Sequence, residues 1–375
     1  MFRNNTDVLT TTVPDAIKQL HVKTRDGVAM YKQSIQSVKH KSISIEAQNY
    51  IEQTSAFRAT ETVTSASMNV MTSPPSTSSK RVSKTVATGM NSIPIALLRE
   101  FLLTSSRHCL KLNNHLKAIT KNNDDAYELY FETTETIKGR TRIQWEKMAT
   151  KRCARKVILA INRLALEILD WEGLRQPRIW ELITKSVLDS PNGKYFLAYN
   201  EPWWLKSPVY GSYTITDTPL NQIYDFGTSK TNPKRSVLLP MYSDFCLSTW
   251  LEMAERDNKT TVTDGDIIFP IGKEIIQMTN KYLSEIFKIP VKDIPHPTHG
   301  VLCIWKSYPY GGADQAFMPG YIYTDIDKEM VKPSNKDDIY TACNAFNARS
   351  WSWWSNSALQ AVELIMPYFG LQRKE

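Results

Sequence analysis

Glycine is scarce in this chain. There are 14 in 375 residues, Gly27 is alone among the first 88, and no two glycines stand in Gly-x-Gly spacing. A loop that cradles phosphates needs glycine where the backbone closes on the pyrophosphate, so neither the P-loop nor the dinucleotide fingerprint is present. Long apolar runs are missing too. The longest aliphatic stretch is Val157 to Ile161, far below the ~20 residues that a membrane span needs. No apolar segment of the secretory type follows Met1, which gives the expectation of a soluble protein. The five cysteines (Cys109, Cys153, Cys246, Cys303 and Cys343) are an odd number without Cys-x-x-Cys spacing. That pattern argues against a disulfide framework and for a reducing, cytoplasmic setting. His296 and His299 are a close histidine pair, but no nearby Cys or acidic cluster completes a zinc site.

What is present is ordinary globular composition, 42% hydrophobic and 22% charged, with an uneven charge distribution. Residues 1–170 carry 25 Lys and Arg against 15 Asp and Glu, an excess of ten, while the remainder is nearly balanced. A basic half can meet nucleic acid, an anionic surface or an acidic partner. The densest run, Lys151-Arg152-Cys153-Ala154-Arg155-Lys156, leads straight into Val157-Ile158-Leu159-Ala160-Ile161. A solvated strand entrance therefore outweighs a nucleic-acid patch.

The pattern along the chain divides it into four parts. Residues 1–88 combine weak helical patterning over Ala29 to Phe57 with a mobile tract, Thr60 to Thr88, that holds 14 Ser and Thr in 29 residues. From Gly89 to Ile161, Ser92 and Pro94 open a helix. Leu110 to Ile119, Tyr127 to Glu132 and Arg155 to Ile161 then read as a three-strand meander. Residues 162–300 mix helices (Arg163 to Asp170, Pro177 to Leu188, Glu274 to Phe287) with strands at Tyr195 to Tyr199, Gln222 to Phe226 and Val237 to Tyr242. Residues 301–375 close with strands at Val301 to Trp305 and Ile339 to Cys343 and a helix from Ser357 to Tyr368. The class is α+β with a mixed sheet.

The aromatic-rich end carries the chemistry. Trp351, Trp353 and Trp354 stand between a strand and the start of the last helix. Strand, short loop and helix N-terminus form a geometry that can hold an electron-rich ligand edge on backbone N–H groups. Equally, three Trp can plug a domain interface.

Several ordered motifs resemble the flavin-dependent amine oxidoreductases, the L-amino-acid and monoamine oxidases. Gly89-Met90-Asn91-Ser92-Ile93-Pro94 matches the family's helix opening, and Ala154-Arg155-Lys156-Val157-Ile158-Leu159-Ala160-Ile161 matches its strand, with Asn162 where the family usually has Pro. Ser307-Tyr308-Pro309-Tyr310-Gly311-Gly312-Ala313 is similar to the turn near the family's active site. Cys343-Asn344-Ala345-Phe346-Asn347 and Trp353-Trp354-Ser355-Asn356-Ser357-Ala358-Leu359 are similar to its closing strand and flavin-facing helix. The resemblance runs from Gly89 to Leu371. It departs at Cys343-Asn344, where the family has Gly-Glu, and at Trp353 and Ser357, where it has glycine. The family's N-terminal Gly-x-Gly-x-x-Gly has no counterpart.

The resemblance implies a two-domain architecture in which part of an FAD-linked domain joins a substrate-type α+β domain. It implies FAD as cofactor, touched by Asn344, Ala345, Phe346, Trp353, Trp354, Ser355 and Ala358. The pocket for a small amine or amino acid would be walled by Tyr310, Gly311, Gly312, Phe317, Trp351 and Tyr224. The implied reaction moves hydride from an amine-bearing carbon to the flavin. The resulting imine hydrolyses, and dioxygen reoxidises the flavin to give hydrogen peroxide. The missing dinucleotide half implies either a second polypeptide that supplies it as partner or a truncated chain from which it was lost. Lys306 is the lysine nearest that turn, and spacing alone identifies no acid–base pair. Two other readings stay open at this point: a non-catalytic interaction or regulatory subunit of the same fold, and a basic binding module.

Overall fold

In a computed structural model of the chain, the structure describes residues 20–58, 60–67, 86, 88–137, 140–258, 268–305, 311–312, 314–347, 357–358 and 360–371. Of the tract Thr60 to Thr88 expected to be mobile, residues 68–85 and 87 lie outside them, as does the Trp351-Trp353-Trp354 cluster. The first part of that tract is instead a helical turn, Thr60–Val63, followed by the buried Thr64, Ser65, Ala66 and Ser67.

The N-terminal part contains two short helices where one weak helical segment was expected. These are α1 (Ile35–Ser42) and α2 (Ile45–Gln53), each capped by a serine that accepts from a backbone N–H, Ser34 from Ser37 and Ser44 from Ala47. Such a cap satisfies one of the orphan donors of a first turn and restarts the helix at Ser44. Val22, Met30, Ile35, Val38 and Ala66 form a small core of their own. This part is stitched to the main body by Ser65 N–H to Phe317 O and Gly320 N–H to Tyr31 O, both 2.8 Å.

Helix α3 (Ser92–Thr104) begins at Ser92 with Pro94 in its first turn, as the sequence leads one to expect. Its cap position, however, is Asn91, and the Ser92 hydroxyl donates back to Thr88 O at 3.2 Å. Strand β1 (Asn114–Lys121) pairs antiparallel with β2 (Tyr127–Ile137), which also pairs with β3 (Arg140–Ile143) and β4 (Thr150–Ala154). Here the structure corrects the expected meander. Its third long-range strand is β4, built from the basic run, and Lys151 meets Glu128 across the pair at 2.9 Å. The apolar Val157–Leu159 instead forms β5, which pairs parallel with β14 (Ile339–Thr341). A strand apolar on both sides suits a parallel sheet covered on its faces, whereas alternating charge suits an antiparallel surface strand.

Helices α4 (Arg163–Ile168) and α5 (Pro177–Lys185) follow, then β6 (Val187–Ser190), which pairs with β13 (Asp314–Phe317). A six-stranded antiparallel sheet has the order β11-β12-β7-β10-β9-β8. It comprises β7 (Asn192–Tyr199), β8 (Tyr213–Ile215), β9 (Gln222–Thr228), β10 (Ser236–Ser243), β11 (Ile268–Pro270) and β12 (His299–Trp305). Helices α6 (Leu247–Asn258) and α7 (Lys273–Phe287) cover it. Helix α8 (Tyr323–Val331) packs on β14. The last stretch, expected as one helix to Tyr368, is a π-turn over Ala361–Ile365 and a 3-10 turn over Met366–Phe369, with Pro367 breaking the α ladder.

Burial resolves two main cores. One joins Ile119, Tyr127, Leu159, Leu166, Leu182, Ile326, Ile339 and Phe346, and so draws on chain from both sides of position 162. The other joins the six-stranded sheet to α6 and α7 around Tyr195, Trp204, Trp250 and Leu283. The architecture is mixed α+β. No helix among the described residues is long and apolar enough to cross a membrane.

Candidate functional site

Strand β13 pairs with β6 and contributes Phe317 to the first core, while its Asp314 end meets Asn192 at the start of β7. Successive side chains of a strand point to opposite faces, so Asp314 and Gln315 look into different surroundings.

On the Gln315 side there is a buried polar chain. Asn344 Nδ2 donates to Gln315 Oε1 at 2.8 Å, and Gln315 Nε2 donates to Asp189 Oδ1 at 2.8 Å. The other Asp189 oxygen accepts from Arg163 Nε, and the same guanidinium donates to Glu167 Oε1 (2.9 Å) and to Ile183 O (2.6 Å). Gly311 O accepts from Asn162 Nδ2 at 3.0 Å, which brings the Gly311-Gly312 turn to this chain. Gly312 has φ +90°, and a Cβ there would stand 3.2 Å from Asp189 Oδ1 and 3.4 Å from Leu164. Gly312→Ala is therefore expected to destabilise by about 1–3 kcal/mol, the usual range for a left-handed non-glycine residue, read as a lowered unfolding midpoint.

On the Asp314 side, the ends of four strands of the large sheet come together. Register pairs Lys194 with Cys303 and with Tyr242, Trp305 with Asn192, and Tyr242 with Gln222. Lys194 Nζ sits 4.1 Å from the centre of the Tyr242 ring and 6.0 Å from that of Trp305. Tyr213 and Tyr224 are stacked at 4.6 Å, and both hydroxyls donate to Gln222 Oε1, at 3.1 and 3.0 Å. Tyr224 leans on Tyr242 at 6.4 Å. Asp314 Oδ2 accepts from Asn192 Nδ2 at 2.8 Å, and the buried Asp244 stands two residues beyond Tyr242.

The electrostatics follow from partial burial. Desolvation lowers the Lys194 pKa below the ordinary lysine value, against the pull of Asp314 and Cys303. Desolvation raises the Asp314 carboxyl, opposed by the Asn192 hydrogen bond and the Lys194 charge. Burial also raises the hydroxyls of Tyr242 and Tyr224. A lysine against aromatic rings and an aspartate held by Asn192, each partly stripped of water, give this end of the sheet one positive and one negative group.

Of the residues singled out from the sequence, Gly311, Gly312, Asn344, Ala345, Phe346 and Phe317 gather near β13 and β14, and Tyr224 stands in the aromatic group. Phe317 is 3% exposed and stacks on Tyr323, so its ring belongs to the first core. Ala345 and Phe346 are buried in the same core. Tyr310, Trp351, Trp353, Trp354 and Ser355 lie outside the described residues; Ala358 is exposed. Sequence reading missed Lys194, Tyr242, Trp305 and Asp314, which are far apart in the chain and meet only through strand register. A separate cavity of about 890 Å³, lined by Tyr127, Trp171, Glu172, Lys121 and Asp337 among others, is touched by none of the expected residues.

A flavin edge on the closing strand requires free donors. The Phe346 N–H instead donates to Cys343 O at 3.2 Å, and burial pushes the Cys343 thiol up to about 12. The Asn344 amide is engaged by Gln315. Two of the donors of the Asn344–Phe346 turn are thus already engaged within the chain.

No protein-family profile matches the chain. It is 29% identical over 290 residues to Aplysianin-A of Aplysia kurodai, covering 75% of this chain and 51% of that protein. It is equally 29% identical over 289 residues to Achacin of Lissachatina fulica, covering 75% and 52%. The chain spans about half the length of these curated relatives. In fold it is similar to putrescine oxidase bound to putrescine (TM-score 0.63, 15% identity, 91% of this chain and 69% of that one). It is also similar to cyclohexylamine oxidase from Brevibacterium oxydans (TM-score 0.58, 12% identity, 90% and 67%). The fold is that of the amine oxidases. Relatives and shared fold agree with the resemblance to the flavin-dependent amine oxidoreductases that the ordered motifs carry; the family's N-terminal dinucleotide motif is not among the residues numbered here.

Proposed function

We propose that this chain is the substrate-binding part of a flavin-dependent oxidase that converts an amino acid, in preference to a simple amine, to its carbonyl product with release of ammonia and hydrogen peroxide. The observation that carries the reading is the half-buried Lys194 ammonium over the Tyr242 ring at one end of the six-stranded sheet, with Asp314 held nearby by Asn192 and within its electrostatic reach. Lys194 would meet a carboxylate, Asp314 would meet the ammonium, and the rings would exclude water from the carbon between them. FAD supplies the electron acceptor when bound.

The partner in this reading is a second polypeptide carrying a dinucleotide-binding half. Three observations support it. The parallel sheet has only β5 and β14 among the described residues, where parallel sheets are normally larger and covered on both faces. Helix α3 has no buried residue, and its Leu103 is 87% exposed beside Leu97 and Phe101. The excess positive charge of residues 1–170 suits an acidic partner.

The test is to purify the chain alone and with candidate partners, record the visible spectrum, and assay peroxide on L-amino acids and on their decarboxylated amines. Flavin absorbance and amino-acid-dependent peroxide only in the joint preparation are expected. No flavin bands in any preparation would sink the proposal. A non-catalytic subunit of the same fold is the second reading, favoured by the Phe346 N–H and the Asn344 amide being engaged within the chain, by Cys343 O and Gln315. Under it, flavin and peroxide would appear with the partner whether or not this chain is added.

A further inference from the structure

Residues Ser55–Arg58 come from the N-terminal part of the chain, yet they are pinned across the strand ends that form the aromatic site. Ser55 O accepts from Asn221 Nδ2 at 3.0 Å, and Ala56 O accepts from Gln222 Nε2 at 2.7 Å. Arg58 N–H donates to Asp244 Oδ1 at 3.0 Å, and its guanidinium donates to Thr216 O at 2.9 Å while lying 4.1 Å over the Phe245 ring. Between these anchors the Phe57 ring meets Tyr242 edge-on, with centroids 5.4 Å apart and planes at 81°. Tyr242 therefore meets both Phe57 and the Lys194 ammonium.

We infer that this strap is the remaining wall of the aromatic site and that Phe57 sets the size of the substrate side chain it admits. The inference rests on the reading that the Lys194–Tyr242–Asp314 group binds an amino acid. Gln222 ties the two together, because its carbonyl receives the Tyr213 and Tyr224 hydroxyls while its amide holds Ala56. The main-chain anchors hold the strap independently of which side chain stands at 57. A smaller residue there opens space next to Tyr242 without releasing Ser55 or Ala56.

The experiment uses tetranitromethane nitration of the full chain, mapped by mass spectrometry, with Tyr50 (69% exposed) as internal reference. In Phe57→Ala the nitration of Tyr242 relative to Tyr50 should rise about ten-fold, which is an edge-to-face ring pair of about 1.4 kcal/mol converted at one decade. Phe57→Leu, which keeps an apolar filler, should fall between and guards against a folding defect in the alanine variant. Protection then reads size. L-phenylalanine should slow Tyr242 nitration in both proteins, and the longer 4-phenyl-L-phenylalanine only in Phe57→Ala. An unchanged Tyr242 rate, or equal protection by both amino acids in both proteins, overturns the role of Phe57. Absence of protection by any amino acid, with the rate raised as expected, overturns the amino-acid reading and the size role with it, leaving the strap as a cover of Tyr242.

Discussion

Arg163→Met should lower stability by about 3–5 kcal/mol, because it leaves the Asp189 carboxylate buried without its cation. Arg163 is 8% exposed, and its guanidinium meets Asp189, Glu167 and the Ile183 carbonyl at once. The loss concerns more than one pair. Asp189 also receives Gln315, which receives Asn344, so an unbalanced charge at 189 disturbs the anchor of the segment that follows β14. Thermal unfolding should show a midpoint lowered by roughly 10 °C, given the few degrees that each kcal/mol moves a domain of this size. The double variant Arg163→Met with Asp189→Leu should recover most of that loss, since removing both charges also removes their desolvation. A single variant as stable as the wild type would mean that water reaches Asp189. A double variant no better than the single would mean that the hydrogen bond to Gln315, and not the charge, is the important contact.

Lys194→Met should weaken amino-acid binding by about 10- to 100-fold, the loss expected for one hydrogen bond to a charged group. It should leave the matching decarboxylated amine nearly unchanged. Calorimetry or peroxide assays on L-phenylalanine beside phenethylamine read this difference directly, and an equal loss on both ligands would remove Lys194 from carboxylate recognition. The same variant carries a pH signature. The folded-state pKa of Lys194 is depressed by burial, so the cost of its charge is fully present at acid and neutral pH. That cost is relieved as pH rises through the folded pKa toward the ordinary lysine value. The stability of wild type relative to Lys194→Met should accordingly improve between neutral and alkaline pH. Asp314 has the opposite sense. Its raised carboxyl burdens the fold at neutral pH, and the burden lifts as pH falls through its folded pKa.

Much of the local structure is legible in the residues themselves. Asn162 caps α4, accepting from Ala165 N–H, and Pro177 starts α5. Ile275, Leu283 and Phe287 mark the buried stripe of α7. The alternation over Tyr195–Tyr199 marks β7, with residues 195, 197 and 199 buried. Partner choice between strands is less legible. Lys151–Ala154 and Val157–Leu159 are neighbours in sequence, yet one joins an antiparallel surface sheet and the other a parallel pair with a strand about 180 residues away. Pattern reports which faces are apolar, and not which distant strand covers them.

The scarcity of glycine, and the absence of any Gly-x-Gly in these residues, excluded a dinucleotide loop here before any fold was considered. The ordered motifs from Gly89 onward pointed to the oxidoreductase class, and the mixed α+β architecture agrees with them. The site is a different matter. Lys194, Tyr242, Trp305, Asp314 and Phe57 are spread over about 260 residues and share no motif. They converge because antiparallel register sets Lys194 opposite both Cys303 and Tyr242, and because main-chain hydrogen bonds carry the strap over their ends. Local preferences and periodicity act over a turn or a strand, so they suffice for elements. A site whose charges are tuned by burial exists only once the sheet has closed and expelled its water.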